Sequence, residues 1–311
     1  MHSLYFAPME GITLAPFRRV WQEFFPGLDK FFSPFLVANQ TLHFKNKEIK
    51  DILPENNEGI PLVPQILTKK ADEMLWAVKE LQKYGYREIN LNLGCSMPQV
   101  ARRGRGAGFL ADKDQLDRFF EEVFEGLENM NVELSVKTRL GVESSREALE
   151  LMEIYNRYPI SELIIHPRLM SDLYRSTPDM DTFAAMFESS RHPVCYNGDI
   201  YTVTDFQRIA ERFPNLDRIM IGRGFLRDPS LLHRLQGKDA VTEEELFQYH
   251  NSVFRNYLQN VQDERQAVAK MKGMWVYWQT SYPGREREFK KLRKSVSADQ
   301  YMECVYSIMC D

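Results

Sequence analysis

Apolar residues in the first 235 positions follow two alternating rhythms. Short runs rich in Ile, Leu, Val and Phe occupy 4–7, 31–35, 62–66, 88–93, 133–137, 162–166, 194–197 and 218–221. Runs of this length, bounded by polar and turn residues, predict buried strands. Between them apolar side chains recur at helical spacing over 15–25, 69–84, 114–130, 145–158, 179–189 and 203–213, which predicts helices that lay one face on a core. Asp114 and Ser144 or Ser145 stand where N-caps belong. Only the link from Phe35 to Pro61 lacks a rhythm, and it reads as a candidate functional loop.

Eight strands alternating with helices predict a (β/α)8 TIM barrel, a fold of the α/β class. A doubly wound sheet is the alternative, but no G-x-G-x-x-G follows the first strand. After Gly237 the pattern changes to helices over 243–259, 264–279 and 299–309 with no strands between them. The chain therefore divides into a barrel over 1–236 and a C-terminal helical domain over 242–311. No internal repeat at solenoid spacing is visible.

Polar residues mark the strand ends. Met9, Gln65, Asn92, Lys137, His166, Asn197 and Arg223 each fall at or just past the C-terminal end of a different strand, the face where barrels build active sites. A buried lysine at position 137 is costly unless something anionic meets it. It fits a Schiff base, an electrostatic partner for an electron-rich cofactor ring, or a structural salt bridge. His166 fits a ligand contact, acid/base work or a satisfied core position. Gln65 and Asn92 suit the edge of a heterocycle. Asn197-Gly198-Asp199 and Gly222-Arg223-Gly224 close the seventh and eighth strands, where barrels frequently hold a phosphate. The run Asn90 to Gly94 ends a strand and leads into Cys95, then into a loop carrying Arg102, Arg103 and Arg105 among glycines. A thiol there is available for proton or nucleophilic chemistry beside a charged substrate.

With 43% hydrophobic and 27% charged residues among 311, the composition is globular. No run reaches the roughly 18 apolar residues of a membrane span, and no basic segment followed by an apolar stretch opens the chain. Cys95, Cys195, Cys304 and Cys310 are scattered without a C-x-x-C pair. That argues against a disulfide framework or a zinc site and fits a reduced, cytoplasmic protein. No carboxylate and histidine cluster points to any metal. The net charge of −4 hides an asymmetry: between Arg265 and Lys294 nine cations face only Glu286 and Glu288, a local charge of +7. Lys270, Lys272, Arg285, Arg287, Lys290 and Arg293 belong to this cluster, interleaved with Trp275, Tyr277, Trp278 and Tyr282. Such a patch fits RNA better than the net charge suggests.

Together, Ala7-Pro8-Met9-Glu10-Gly11, Gln65, Asn90 to Cys95, Val100 with Gly104 to Gly108, Val136 to Arg139, His166 to Arg168, Asn197 to Asp199 and Gly222 to Gly224 occur in one order. In this the chain resembles the tRNA-dihydrouridine synthase family of flavoenzymes. The resemblance runs from residue 4 to about 230, and the cysteine loop is its most specific part. It implies an FMN on the barrel mouth, with Pro8 and Met9 against its ring, Gln65 and Lys137 at its polar edge and His166 beside it. Asn197, Gly198, Asp199, Gly222 and Arg223 are implied to hold its ribityl chain and phosphate. NADPH, or alternatively NADH, is implied as reductant, with hydride passing to C6 of a uracil and a proton from Cys95 to C5. Asn92 is implied at the uracil edge. Arg102, Arg103, Arg105 and Arg168 are implied on the RNA, with the helical tail as a tRNA-binding domain.

Three positions depart from or refine the pattern. Ser96 replaces the usual proline after the cysteine, and Pro167 with Leu169-Met170 replaces a smaller, more polar stretch. Glu10 resembles the branch acting at position 16 of the D-loop. The competing expectations are an FMN barrel oxidoreductase of a small molecule, similar to dihydroorotate dehydrogenase, and a non-catalytic RNA-binding relative. A Schiff-base aldolase through Lys137 ranks last. A monomer is expected.

Overall fold

The computed structural model describes residues 2–38, 42–261 and 263–310. Nine parallel strand segments form the sheet: β1 (Ser3–Phe6), β2 (Lys30–Phe32), β3 (Leu62–Val63), β4 (Gln65–Ile66), β5 (Glu88–Leu93), β6 (Glu133–Arg139), β7 (Leu163–His166), β8 (Val194–Tyr196) and β9 (Arg218–Ile221). Their order is β3-β2-β1-β9-β8-β7-β6-β5-β4. The two ends of that list are halves of the single predicted strand 62–66, broken at Pro64, which has no N–H to give a ladder. Phe31 and Phe32 pair with Leu62 and Val63 on one side, while Gln65 and Ile66 pair with Asn90 and Leu91 on the other. One interrupted strand thus completes the ring, and the eightfold barrel expected from the sequence is present.

Alternation along the strands sorts the side chains. Leu4, Phe6, Ile89, Leu91, Leu163, Ile165 and Ile219 join the main core under the helices. Tyr5, Ala7, Phe32, Val63, Ile164, Cys195 and Met220 form a separate cluster inside the ring. Around it run α1 (Ala15–Phe24), α2 (Asn46–Ile52), α3 (Ala71–Gln82), α4 (Pro98–Ala101), α5 (Lys113–Leu127), α6 (Glu147–Tyr155), α7 (Met180–Ser189), α8 (Val203–Arg212), α9 (Arg223–Arg227) and α10 (Leu231–Leu235). α2 lies in the link that showed no rhythm; residues 39–41 of that link are outside the described residues.

Two expected caps shift. Asp112, not Asp114, caps α5 by accepting from the Gln115 N–H. Neither Ser144 nor Ser145 caps α6. There the Glu147 carboxylate reaches back to the N–H groups of Val142, Glu143 and Ser144 and closes the turn that leads into the helix.

The tail comprises α11 (Glu243–Asn260), α12 (Glu264–Trp278), α13 (Glu286–Lys294) and α14 (Ala298–Met309). Thr242 and Glu245 form a capping box that starts α11. The sequence reading missed α13, because its apolar face is only Phe289 and Leu292. Tyr249 of α11 packs on Phe25 with ring centroids 5.0 Å apart, tying the tail to the barrel through one continuous core. Trp275 and Trp278 are buried inside it. Trp275 Nε1 donates to the Tyr301 hydroxyl (2.8 Å), which lies 2.6 Å from His250 Nε2. Both tryptophans therefore pack the tail rather than offering faces to RNA. Among the described residues no helix is long and apolar enough to cross a membrane.

Candidate active site at the barrel mouth

The inward positions of the strands become polar toward their C-terminal ends and join into a chain. Asn92 Oδ1 accepts from the N–H groups of Gly94 (3.1 Å) and Cys95 (2.9 Å). Its amide donates to Gln65 Oε1, Gln65 donates to Asn90 Oδ1 (2.7 Å each), and Asn90 donates to Ser135 Oγ (3.0 Å). Asn92 thereby fixes the turn that presents Cys95. Gln65, fully buried, serves this chain and does not line the cavity described next.

That cavity is lined by Pro8, Met9, Lys137, His166, Tyr174, Asn197, Gly198, Asp199, Tyr201, Gly222 and Arg223, among others. It gathers every residue expected to hold the cofactor except Gln65. A larger cleft of about 480 Å³ lies next to it, between the loop after β1, α2 and the tail. Its rim mixes Lys45, Lys47 and Lys50 with Glu10, Glu48 and Asp51. The strand-end chemistry converges on the smaller cavity, which makes it the candidate site.

Burial dominates the electrostatics. Lys137 faces the cavity with no hydrogen bond or ion pair among the described residues, and burial away from water, reinforced by the Arg139 charge, pushes its ammonium down to about 8. His166 is held well below its usual range by burial and by the cations Arg139, Lys137 and Arg168, so it is neutral. Its Nε2 lies 3.0 Å from Arg168 Nη1. A guanidinium only donates, which leaves the histidine proton on Nδ1. Burial pushes the Cys95 thiol up, against the lowering effect of the Met97 N–H and the Arg139 charge. Cys95 is therefore a protonated thiol at neutral pH.

Glycines let the parts meet. A Cβ on Gly198 would fall 1.9 Å from the Tyr196 hydroxyl oxygen. Gly106 has φ +57°, and its Cβ would lie 2.7 Å from the Cys95 carbonyl oxygen, so this glycine closes the arginine loop under the cysteine.

Several expected contacts lie elsewhere. Arg168 is 2% exposed; it bonds Asp199 (3.0 and 2.5 Å) and the Ser176 carbonyl (2.8 Å) beneath the cavity. Arg223 bonds the same Asp199 carboxylate. Arg105 reaches buried Glu73 (3.5 Å), leaving Arg102 and Arg103 as the exposed arginines of that loop. Lys270 donates to the Gly11 carbonyl (3.2 Å), and Lys272 donates to the Ser295 carbonyl at the end of α13. Arg287, Lys290 and Arg293 stand exposed on α13, with half-buried Arg285 at its start.

The sequence reading assigned no role to Arg139, Tyr174 or Tyr201. Arg139, 1% exposed, donates through Nε to the Gly94 carbonyl (2.8 Å) and through Nη1 to those of Leu169 (2.8 Å) and Leu173 (3.1 Å). It straps the cysteine turn to the loop after β7. The signal was its inward parity two residues past Lys137.

Comparison with known proteins points the same way. The family model described as "Dihydrouridine synthase (Dus)" matches residues 5–305. The chain is 29% identical to tRNA-dihydrouridine synthase B of Pasteurella multocida over 88% of its length and 80% of that protein's. It is also 29% identical to tRNA-dihydrouridine(16) synthase of Ralstonia nicotianae, over 77% of this chain and 74% of that one. Among solved structures it is similar in fold to the old yellow enzyme homologue of Zymomonas mobilis (TM-score 0.55, 9% identity, 78% of this chain and 90% of that one). Morphinone reductase is similar too (TM-score 0.52, 11% identity, 78% and 87%).

Proposed function

Because the chain belongs to the dihydrouridine synthase family, flavin-dependent oxidoreductases that reduce uridines in tRNA, we propose that its flavin is FMN, its reductant NADPH and its proton donor Cys95. What carries this reading is one juxtaposition: a protonated thiol and an unpaired lysine at a single barrel mouth, above two glycine turns. An ammonium with no internal partner suits the electron-rich edge of a flavin ring. Close-packed Gly198 and Gly222, with Arg223, suit a phosphate-bearing chain. The residues present fit the group.

A bound flavin, once reduced, supplies hydride to C6 of the uracil. The rest is work of the chain. Pro8 and Met9 would wall its ring, Asn197 and Gly198 would border its ribityl chain, and Lys137 would meet the ring's polar edge. Neutral His166, steadied by Arg168, offers its Nδ1–H. Asn92 holds the turn so that the Cys95 thiol gives its proton to C5, general-acid catalysis by a group that burial keeps protonated.

Residues 1–236 would be the catalytic part and 242–311 the RNA-holding part, through Arg102 and Arg103 on the barrel and Arg285, Arg287, Lys290 and Arg293 on the tail. Glu10 and the Ralstonia relative support position 16 of the D-loop as the first target to examine. On this reading the protein acts as a cytoplasmic monomer using NADPH. The test is incubation of the purified flavoprotein with unmodified tRNA and NADPH, followed by mapping of dihydrouridine. A flavin-free protein that cannot be reconstituted, or one that oxidises NADPH with tRNA unchanged, overturns the reading.

A further inference from the structure

Three tyrosines and two arginines flank one side of the mouth, and of the tyrosines only Tyr277 also packs on the core. Tyr174, in the loop after β7, is 55% exposed, and the Arg223 guanidinium lies 4.4 Å from its ring centroid. Tyr201, just after β8, has Arg223 at 5.7 Å and Arg227 at 5.8 Å from its centroid. Both tyrosines line the cavity, and neither belongs to a hydrophobic cluster. Tyr277 comes from the tail. Just beyond it, Ser281 Oγ donates to the Arg227 carbonyl (3.3 Å), which fastens the end of α12 over α9. α12, which carries Tyr277, packs against α9, which carries Arg223 and Arg227. Arg227 is exposed and makes no ion pair among the described residues; its one side-chain partner is the Tyr201 ring.

We propose that Tyr174, Tyr201 and Tyr277, interleaved with Arg223 and Arg227, form a stacking rim that holds an unpaired nucleotide flanking the reacting uridine. This rests on the tRNA reading of the site. A uridine drawn into the cavity leaves its neighbours unstacked. Aromatic faces restack bases irrespective of identity, and arginine adds cation–π contact and phosphate pairing. Continuity with the cavity favours this occupant, since Tyr174 and Tyr201 line both. Tyr277 gives the tail a direct part in positioning the target, beyond its charge.

The test measures substrate tRNA binding to the flavin-loaded enzyme over a salt series. Tyr201→Leu and Tyr277→Leu are expected to weaken binding about tenfold at every salt concentration, leaving the slope of log K against log salt unchanged. Tyr277→Phe retains the stacking face and is expected to bind like wild type, which also controls for folding. Arg227→Met is expected to reduce the slope by about one. A tRNA made abasic beside the target is expected to bind wild type less tightly and Tyr277→Leu no differently. The proposal is overturned if both leucine variants bind like wild type. It is also overturned if their defect lies in the rate of flavin reduction by NADPH without RNA, which would give the rim to the reductant. If wild type itself neither binds nor reduces tRNA, the underlying reading fails, not the rim.

Discussion

The barrel holds a lysine at each end, and the two are treated oppositely. At the floor Lys30 meets Glu88 (2.7 Å) and Glu162 (3.2 Å), with Tyr5 donating to Glu162 (3.0 Å) and Arg218 3.5 Å away. Burial alone would lower the Lys30 ammonium, yet the two carboxylates raise it. At the mouth Lys137 meets no carboxylate among the described residues and is pushed down to about 8. Partnered charge marks the end that holds the fold; unpartnered charge marks the end that waits for a ligand.

The contrast predicts that mouth variants lose chemistry and keep stability, while floor variants do the reverse. Cys95→Ala should slow uridine reduction by about 10²–10⁴-fold, the scale of general-acid catalysis, with flavin content, tRNA affinity and melting temperature unchanged. Glu162→Ala leaves Lys30, Arg218 and the Tyr5 hydroxyl short of a partner. It should destabilise the fold by about 3–5 kcal/mol in denaturant titration, with turnover per folded molecule kept. A floor variant that abolished turnover while folded would erase the distinction.

The comparison also separates what the sequence makes legible from what it hides. Lys137, His166 and Asn197 can be read because each interrupts an apolar strand at its C-terminal end, a pattern local in the chain. The ties of Arg105 to Glu73 and of Arg168 to Asp199 cannot, because they pair residues from different strand–helix units. An arginine in a loop looks the same on paper whether it faces solvent or a buried carboxylate. Tyr174 and Tyr201 sit in irregular loops with no period to betray them. Trp275 and Trp278 invited the opposite error: beside basic residues they resembled an RNA face, yet helical spacing turns them inward.

Two smaller effects sharpen the contrast. Arg139→Lys removes bonds from the strap between the cysteine turn and the loop after β7. We expect about tenfold slower reduction, or about 1.4 kcal/mol, and alkylation of Cys95 as slow at neutral pH as in wild type, since burial sets its protonation. Lys137 should show itself through pH. Its value in the free protein is about 8; an anionic ligand edge stabilises the charged form and raises it, so binding takes up a proton above that value. Flavin affinity should therefore be flat below pH 8 and decline as pH rises through it. Lys137→Met should flatten that decline in a flavin titration.

The loop after β1 is held from above as well as below. Tyr257 donates to the Ile12 carbonyl (2.9 Å) and Lys270 to that of Gly11 (3.2 Å), while Pro8 and Met9 of the same loop wall the cavity. The tail is thus no detachable handle. A chimera built by exchanging tails between relatives would have to carry residues 8–13 along with them, because those residues mesh with both halves of the machine.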